Sequence, residues 1–295
     1  MKLAYIISAY KYPEQLIRLI DRLATDDAHF LVHVDKRTDG LTYRAMVTGT
    51  ERYASVRFLK RHTCYWGGFG HVAATLEGIR ELVRNEIEYE YAILLTGQDY
   101  PIKSNAHLQR YLHAGRGQLF LEYFPLPHPE WKYRGMDRIE GWHWHVRGRY
   151  YRLVPGPRFP FRRRFPRGLR PFGGSSYWCL TRDSLDFVDR WTKDHPRYVE
   201  FFKRVEVPDE LFFQTIILNS EFRERVQNDN LRHVEWRDPE SGSPAILGAA
   251  DYPTLARSPK LFARKFDMTV DAAVLELIDR HLLARTRDDT LAAAR

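Results

Sequence analysis

Two adjacent carboxylates, Asp209 and Glu210 in VPDEL, stand where a helix is expected to open behind Pro208. A carboxylate of ordinary pKa is ionised at neutral pH and can take a proton from a hydroxyl. The same charge at a helix start complements the helix dipole, and on position alone either acid fills that structural role. Arg264 and Lys265 in LFARKFD are a cation pair able to hold an anion or to solvate a surface strand or helix start. Asp99, in Gly97-Gln98-Asp99, is a single carboxylate after an apolar run, and no Asp-x-Asp pair closes an expected strand. His143 and His145 in GWHWHV share one face of a strand, a spacing compatible with metal binding. No acid stands beside them at convincing spacing, which favours two histidines packed among tryptophans. Gly68, Gly70 and Ala73 in GGFGHVAA have the spacing of a dinucleotide fingerprint. With no acid closing the following strand, they read instead as a tight turn. The run Arg162, Arg163, Arg164 reads as a solvated or membrane-facing surface able to dock on anionic lipid.

The elements that must position these residues are legible from periodicity. Apolar runs at 4–8 and 30–34 flank PEQLIRLIDRLA, where Leu16, Leu19, Ile20 and Leu23 fall on one helical face. This is a βαβ unit. A strand near 56–59 leads through WGGFG into the helix HVAATLEGIRELVR, and YAILLTG adds another buried strand. Such alternation predicts a mostly parallel central sheet flanked by helices, with ligands outside the carboxyl ends of its strands, after Ser8, Val34 and Thr96. Residues 125–171, rich in Pro, aromatic residues and Arg, read as long loops with short strands over one edge of the site. Beyond them come the strand SSYWCLT, the helix DSLDFVDRWTKDH, the helix expected from VPDELFFQTIILNS, a strand near 233–236, a helix near 252–256 and the amphipathic DAAVLELIDRHLLA. A single domain over 1–285 is expected, with a nucleotide-binding half at 1–124, an acceptor and catalytic half at 125–285, and a frayed tail at 286–295.

The chain has 295 residues, 44% hydrophobic and 28% charged, which is globular composition and argues against disorder over most of its length. Cys64 and Cys179 stand far apart without a CxxC motif, suggesting neither a zinc site nor a disulfide framework and making a reducing compartment natural. No signal peptide and no apolar run of about 18 residues is visible. The formal charge of +8 implies an anionic partner: a nucleic acid, a membrane surface or a phosphorylated substrate. Of these, a non-catalytic nucleic-acid or polyanion-binding protein is the alternative from another class. No nucleic-acid motif supports it.

In order along the chain, HVDK, WGG, LLTGQDYPIKS, GSSYWCLTRDSLDFV, VPDELFFQT, HVEW and LFARKFD resemble the family of core-2/I-branching β-1,6-N-acetylglucosaminyltransferases and peptide O-xylosyltransferases. The resemblance runs from about Leu3 to Leu282. It implies a GT-A type nucleotide-sugar-binding fold and inverting transfer from a UDP donor without a divalent metal or other cofactor. By the same resemblance Glu210 is the base, Asp35 lies at the uridine, Lys265 binds the diphosphate, and Glu122 and Trp236 contact the acceptor sugar. Asp99 and Ser175 join the substrate side from their motifs. From its place at the end of the first strand, the segment Ser8 to Tyr12, with Ser8, Ala9 and Tyr10 as its candidate contacts, is expected to frame the base. Branching enzymes share the diphosphate between that lysine and an arginine. Here the matching stretch, SGSPAILGAA, has none, leaving Arg257, Lys260 or Arg264 as candidates. The donors expected first are UDP-GlcNAc and UDP-xylose, with another UDP-sugar for a surface polysaccharide as the alternative. The acceptor is expected to be a glycan or a lipid-linked saccharide. The expected setting is the cytoplasm, with peripheral contact to the anionic inner face of a bacterial membrane as an option and no nucleic-acid partner.

Overall fold

The apolar run that opens the chain is a strand, β1 (Leu3–Ala9), and its side chains divide by strict alternation between two cores. Leu3, Tyr5, Ile7 and Ala9 face one way, Ala4 and Ile6 the other. The computed structural model describes residues 1–157, 159–238 and 241–284. The tail after Arg285, expected to fray, lies outside the described residues.

α1 (Pro13–Leu23) packs Leu16, Leu19, Ile20 and Leu23 on the first face. β2 (Ala28–Val34) follows, then α2 (Gly40–Thr50), β3 (Val56–Phe58), α3 (Gly70–Arg84) and β4 (Tyr91–Thr96). α3 covers the second face with Val72, Leu76, Ile79 and Leu82. The chain continues through β5 (Asp99–Pro101), α4 (Asn105–Ala114), β6 (Leu119–Leu121) and the short β7 (Phe124–Pro125) to α5 (Met136–Glu140). β8 (Trp142–Val146) and β9 (Arg149–Leu153) form an antiparallel hairpin. Then come β10 (Phe172–Gly173), β11 (Trp178–Thr181), α6 (Arg182–Asp194), α7 (Pro196–Phe202) and α8 (Phe212–Leu218). β12 (Val226–Gln227), β13 (Arg232–Val234), α9 (Tyr252–Arg257), β14 (Phe262–Arg264) and α10 (Ala273–Ile278) complete it.

The central sheet has the order β12-β6-β11-β4-β1-β2-β3. Only β11 runs against its neighbours β4 and β6, so the mixed α/β sheet is mostly parallel and flanked by helices, consistent with a GT-A-like fold. The carboxyl ends of its three middle strands are laced together: the Asp35 N–H donates to Ala9 O and the Gly97 N–H to Ser8 O, both at 2.9 Å. A second sheet, β13-β14-β5, delivers LFARKFD to that edge, because β14 pairs antiparallel with β5 and sets Arg264 opposite Asp99.

Two expectations change, and two helices are added to the expected elements. The helix expected at Pro208 begins later: Pro208–Glu210 is a 3₁₀ turn, Leu211 (φ −131°) breaks it, and α8 starts at Phe212 with all seven residues buried. The late strand ends at Val234, leaving Trp236 past its end and 59% exposed. α2 and α4 are the added helices. α2 buries only Met46 and Thr50 and is held at its start by Asp39, which accepts from the Leu41 and Thr42 N–H groups.

Candidate active site

Asp35, directly after β2, is buried and fully engaged. Its carboxylate accepts from the Arg37 N–H and guanidinium and from the Cys64 N–H. Burial opposes its ionisation, yet the Arg37 side chain and the two backbone N–H groups hold its pKa below the ordinary value. Arg37 in turn lies over the Tyr65 ring, 4.6 Å from the centroid. Ser8 and Ala9 are the last residues of β1, while Tyr10 projects from the edge, 52% exposed. Asp35, Arg37 and Tyr10 therefore stand together at the strand ends, where the Thr38 hydroxyl also donates to Tyr10 O.

Next to it, cations gather. Lys265 follows β14 and its Nζ donates to Ser243 Oγ. Its pKa is lowered, by burial first and then by the charges of Arg264 and Lys11. Lys11 was not singled out by the motifs, although it closes the segment that follows β1. Its Nζ donates to Tyr12 Oη at 2.7 Å, the Tyr12 hydroxyl donates to Asp267, and Lys11 stands 3.7 Å from the same carboxylate. Arg264 stacks on Tyr177 at 4.3 Å and donates through Nε to Asp99 at 3.0 Å. Asp99 itself is wholly buried, its second oxygen taken by the Thr96 N–H. It orients Arg264 from beneath instead of reaching open space. Of the other candidate cations, Lys260 is engaged by both oxygens of Asp229 at 2.8 Å, and Arg257 ends α9.

Gln15 holds this corner together. It is the buried polar residue on the apolar face of α1, 1% exposed, and its amide donates to Gly97 O and Phe266 O while accepting from the Met268 N–H. One side chain thus ties the segments after β1, β4 and β14. Gln15→Leu would leave Gly97 O and the Met268 N–H without this partner, while Phe266 O keeps the Gln98 amide, so we expect a loss of about 2–4 kcal/mol in unfolding free energy, read as a lowered urea midpoint. An unchanged midpoint would contradict the clamp.

Glu210 sits across the site in its 3₁₀ turn, its side chain 31% exposed. Arg138 of α5 donates to it at 2.6 Å and stacks on Trp131, 3.8 Å from the ring centroid. Burial raises the Glu210 pKa, Arg138 works against that rise, and Asp209 and Glu122 add to it. Glu122 lies close enough to be felt, is raised chiefly by its own burial, and accepts from Asn230 at 2.6 Å. Asp209 accepts from Ser176 Oγ at 2.8 Å through one oxygen; its other oxygen is buried and has no partner among the described residues. Burial opposes the Arg264 charge, yet Tyr177, Asp99 and, last, Asp209 raise its pKa; Ser176, bonded to Asp209, directly precedes the Tyr177 ring on which Arg264 stacks, which links the base turn to the cation corner. Ser175 supplies the carbonyl that accepts from Gln214, and its hydroxyl accepts from the Tyr177 N–H. Removing Arg138 takes away the charge that favours the ionised carboxylate. With Arg138→Met the Glu210 pKa should rise, moving the acidic limb of the kcat/KM profile up by about one pH unit; an unmoved limb would disconnect the pair from activity.

The remaining motifs have structural roles. Gly67 has φ +67°, and a Cβ on Gly70 would lie 2.1 Å from Thr63 O, so WGGFG is a tight turn with close backbone approach. His143 bonds to Tyr150 Oη and Asp137 O, while His145 stacks on Tyr65 at 5.0 Å. Among the described residues no group of three His, Cys, Asp or Glu side chains is arranged to hold a metal ion. Cys64 and Cys179 are free and buried. Arg163 departs from the expected surface role: its guanidinium lies over Phe201 and donates to the carbonyls of Gly141, Phe201 and Arg204. Arg162 is paired with Glu140. No described helix is long and apolar enough to cross a membrane.

Asp35, the cations, Asp209, Glu210 and Glu122 thus share one edge of the sheet; a run of motifs in fixed order along the chain is what brings them there. The chain is 29% identical to xylosyltransferase 2 of Rattus norvegicus and to that of Homo sapiens, in each case over 96% of its own length. Xylosyltransferase 1 of Homo sapiens is 25% identical over the same share. The matches cover 34%, 34% and 30% of those proteins, so the chain spans about a third of the length of the curated relatives it matches. The family model described as "Core-2/I-Branching enzyme" matches residues 3–256, and the chain belongs to the core-2/I-branching enzyme family.

Proposed function

We propose that this chain is an inverting glycosyltransferase that moves a sugar from a UDP donor to a hydroxyl of an acceptor glycan. The observation that carries the reading is a half-buried carboxylate, Glu210, which Arg138 holds and whose neighbour Asp209 is tied through Ser176 to the Tyr177 ring beneath Arg264, beside which stand Lys265 and Lys11. Inversion is one displacement at the anomeric carbon. The acceptor oxygen bonds to that carbon as the bond to the diphosphate breaks; the hydroxyl proton passes to Glu210 and the electron pair leaves with UDP. The negative charge released on the diphosphate is met by the three cations, whose attraction is strong where water is excluded. Like charges crowded at this corner favour an anionic ligand there.

Asp35, through the Arg37 guanidinium that it holds, and Tyr10 suit the uridine. The unpartnered oxygen of Asp209 suits a hydroxyl of the donor sugar, and Glu122 with Trp236 suits the acceptor. Because the relatives are named xylosyltransferases, UDP-xylose leads the donor panel, followed by UDP-GlcNAc, UDP-glucose and UDP-galactose. A thermal-shift series tests the reading: a UDP-sugar should raise the melting temperature in EDTA as much as in magnesium. A shift that requires a divalent ion would contradict cation-only charge compensation. Stabilisation by RNA or DNA and not by any UDP-sugar would favour a polyanion-binding protein.

A further inference from the structure

The β8–β9 hairpin has two unlike faces. Antiparallel partners share a face, so His143 with Arg152 and His145 with Tyr150 point one way, while Trp142 with Leu153, Trp144 with Tyr151 and Val146 with Arg149 point the other. The first face is latched to the protein: His145 stacks on Tyr65, and Tyr150 donates to Glu206. The second face is apolar and open. Val146, Tyr151 and Leu153 are 48%, 42% and 39% exposed, and a groove of about 300 Å³ runs between Trp142, Trp144, Leu153 and Arg204. Trp142 meets Phe159, which meets Phe161, extending the same surface to a ring 66% exposed.

The sequence here is one-sided in charge: from residue 141 to residue 182 it has ten arginines (147, 149, 152, 158, 162, 163, 164, 167, 170 and 182) and no aspartate or glutamate. Of the acids beside the hairpin, Glu206 is bonded to Tyr150 on the latched face and Glu140 is paired with Arg162. An apolar face with an excess of arginine suits a partner that is apolar and anionic together.

We propose that this hairpin face docks on an anionic lipid bilayer. Tryptophan and tyrosine settle at the depth of lipid headgroups, arginine stems lie along apolar surface with the guanidinium at phosphate, and short apolar side chains enter the acyl boundary. Arg149 at the hairpin tip and Arg204 beside the groove meet the phosphates; Arg163, bound to backbone carbonyls, takes no part. The docking site thus shifts from the arginine run to the hairpin. It leaves the opposite face against the segment that leads into the turn carrying Glu210, since the Tyr150 hydroxyl donates to Glu206 and the His143 N–H to Arg204 O.

Co-sedimentation with sucrose-loaded vesicles tests this. Vesicles of phosphatidylcholine with phosphatidylglycerol should retain the protein at least ten times better than phosphatidylcholine alone, and added salt should weaken the retention. Val146→Asp and Phe161→Ser, both on exposed side chains, should each lower retention several-fold while UDP affinity stays unchanged. Brominated lipid should quench tryptophan fluorescence, marking insertion of the apolar face. Equal retention by the two vesicle types overturns the proposal, as do variants that bind like wild type. Capture by a soluble polyanion such as heparin without vesicle binding overturns it in favour of a saccharide partner.

Discussion

Glu210→Gln should lower turnover by about 100-fold or more while leaving the affinity for UDP within a factor of about two. The substitution keeps the volume and most of the hydrogen bonding of the side chain but removes its basicity. Burial and the neighbouring acids raise the Glu210 pKa, and Arg138 opposes that rise at 2.6 Å. This balance suits a base, which must be ionised at working pH yet still draw a proton from a hydroxyl acidified in the transition state. The cations proposed for the donor lie on other segments, after β1 and around the end of β14, so UDP binding should survive. Wild-type turnover in Glu210→Gln would mean that another group takes the proton.

Lys265→Ala should weaken UDP binding by about 10- to 100-fold, the effect of losing one charge-assisted contact of roughly 1.5–3 kcal/mol. Lys11→Ala should cost less, since Lys11 is already bound to Tyr12 and lies 3.7 Å from Asp267. Equilibrium titration of UDP in EDTA reads both. Unchanged affinity in Lys265→Ala would remove the lysine from the diphosphate site.

Much of the frame was legible because its signals are local. The alternating strand residues and the single apolar face of α1 specify a βαβ layer without reference to anything distant. The site was legible in its parts and not in its wiring. Glu210 and Lys265 stand in recognisable strings, but nothing local tells that Arg138, 72 residues away, would pin the glutamate, or that Asp99 would be spent beneath Arg264 by the β5–β14 register. Lys11 lies in the segment expected to frame the base, but a lone lysine after a strand is ordinary; its charge gains meaning only beside Lys265. Gln15 left a fainter signal, a glutamine on an otherwise apolar helical face. Arg163 misled for the opposite reason. A run of three arginines looks solvated, while three carbonyls within reach of its fork are visible only in three dimensions.

The most direct measurement needs no identified acceptor. Slow transfer of the sugar from UDP-xylose or UDP-GlcNAc to water, in EDTA, can be followed by ¹H NMR before the free sugar mutarotates. Both donors are α-linked, so an inverting enzyme releases the β-anomer first, and Glu210→Gln should slow its appearance by about 100-fold. First release of the α-anomer, or equal rates in wild type and Glu210→Gln, would contradict single displacement with Glu210 as the base.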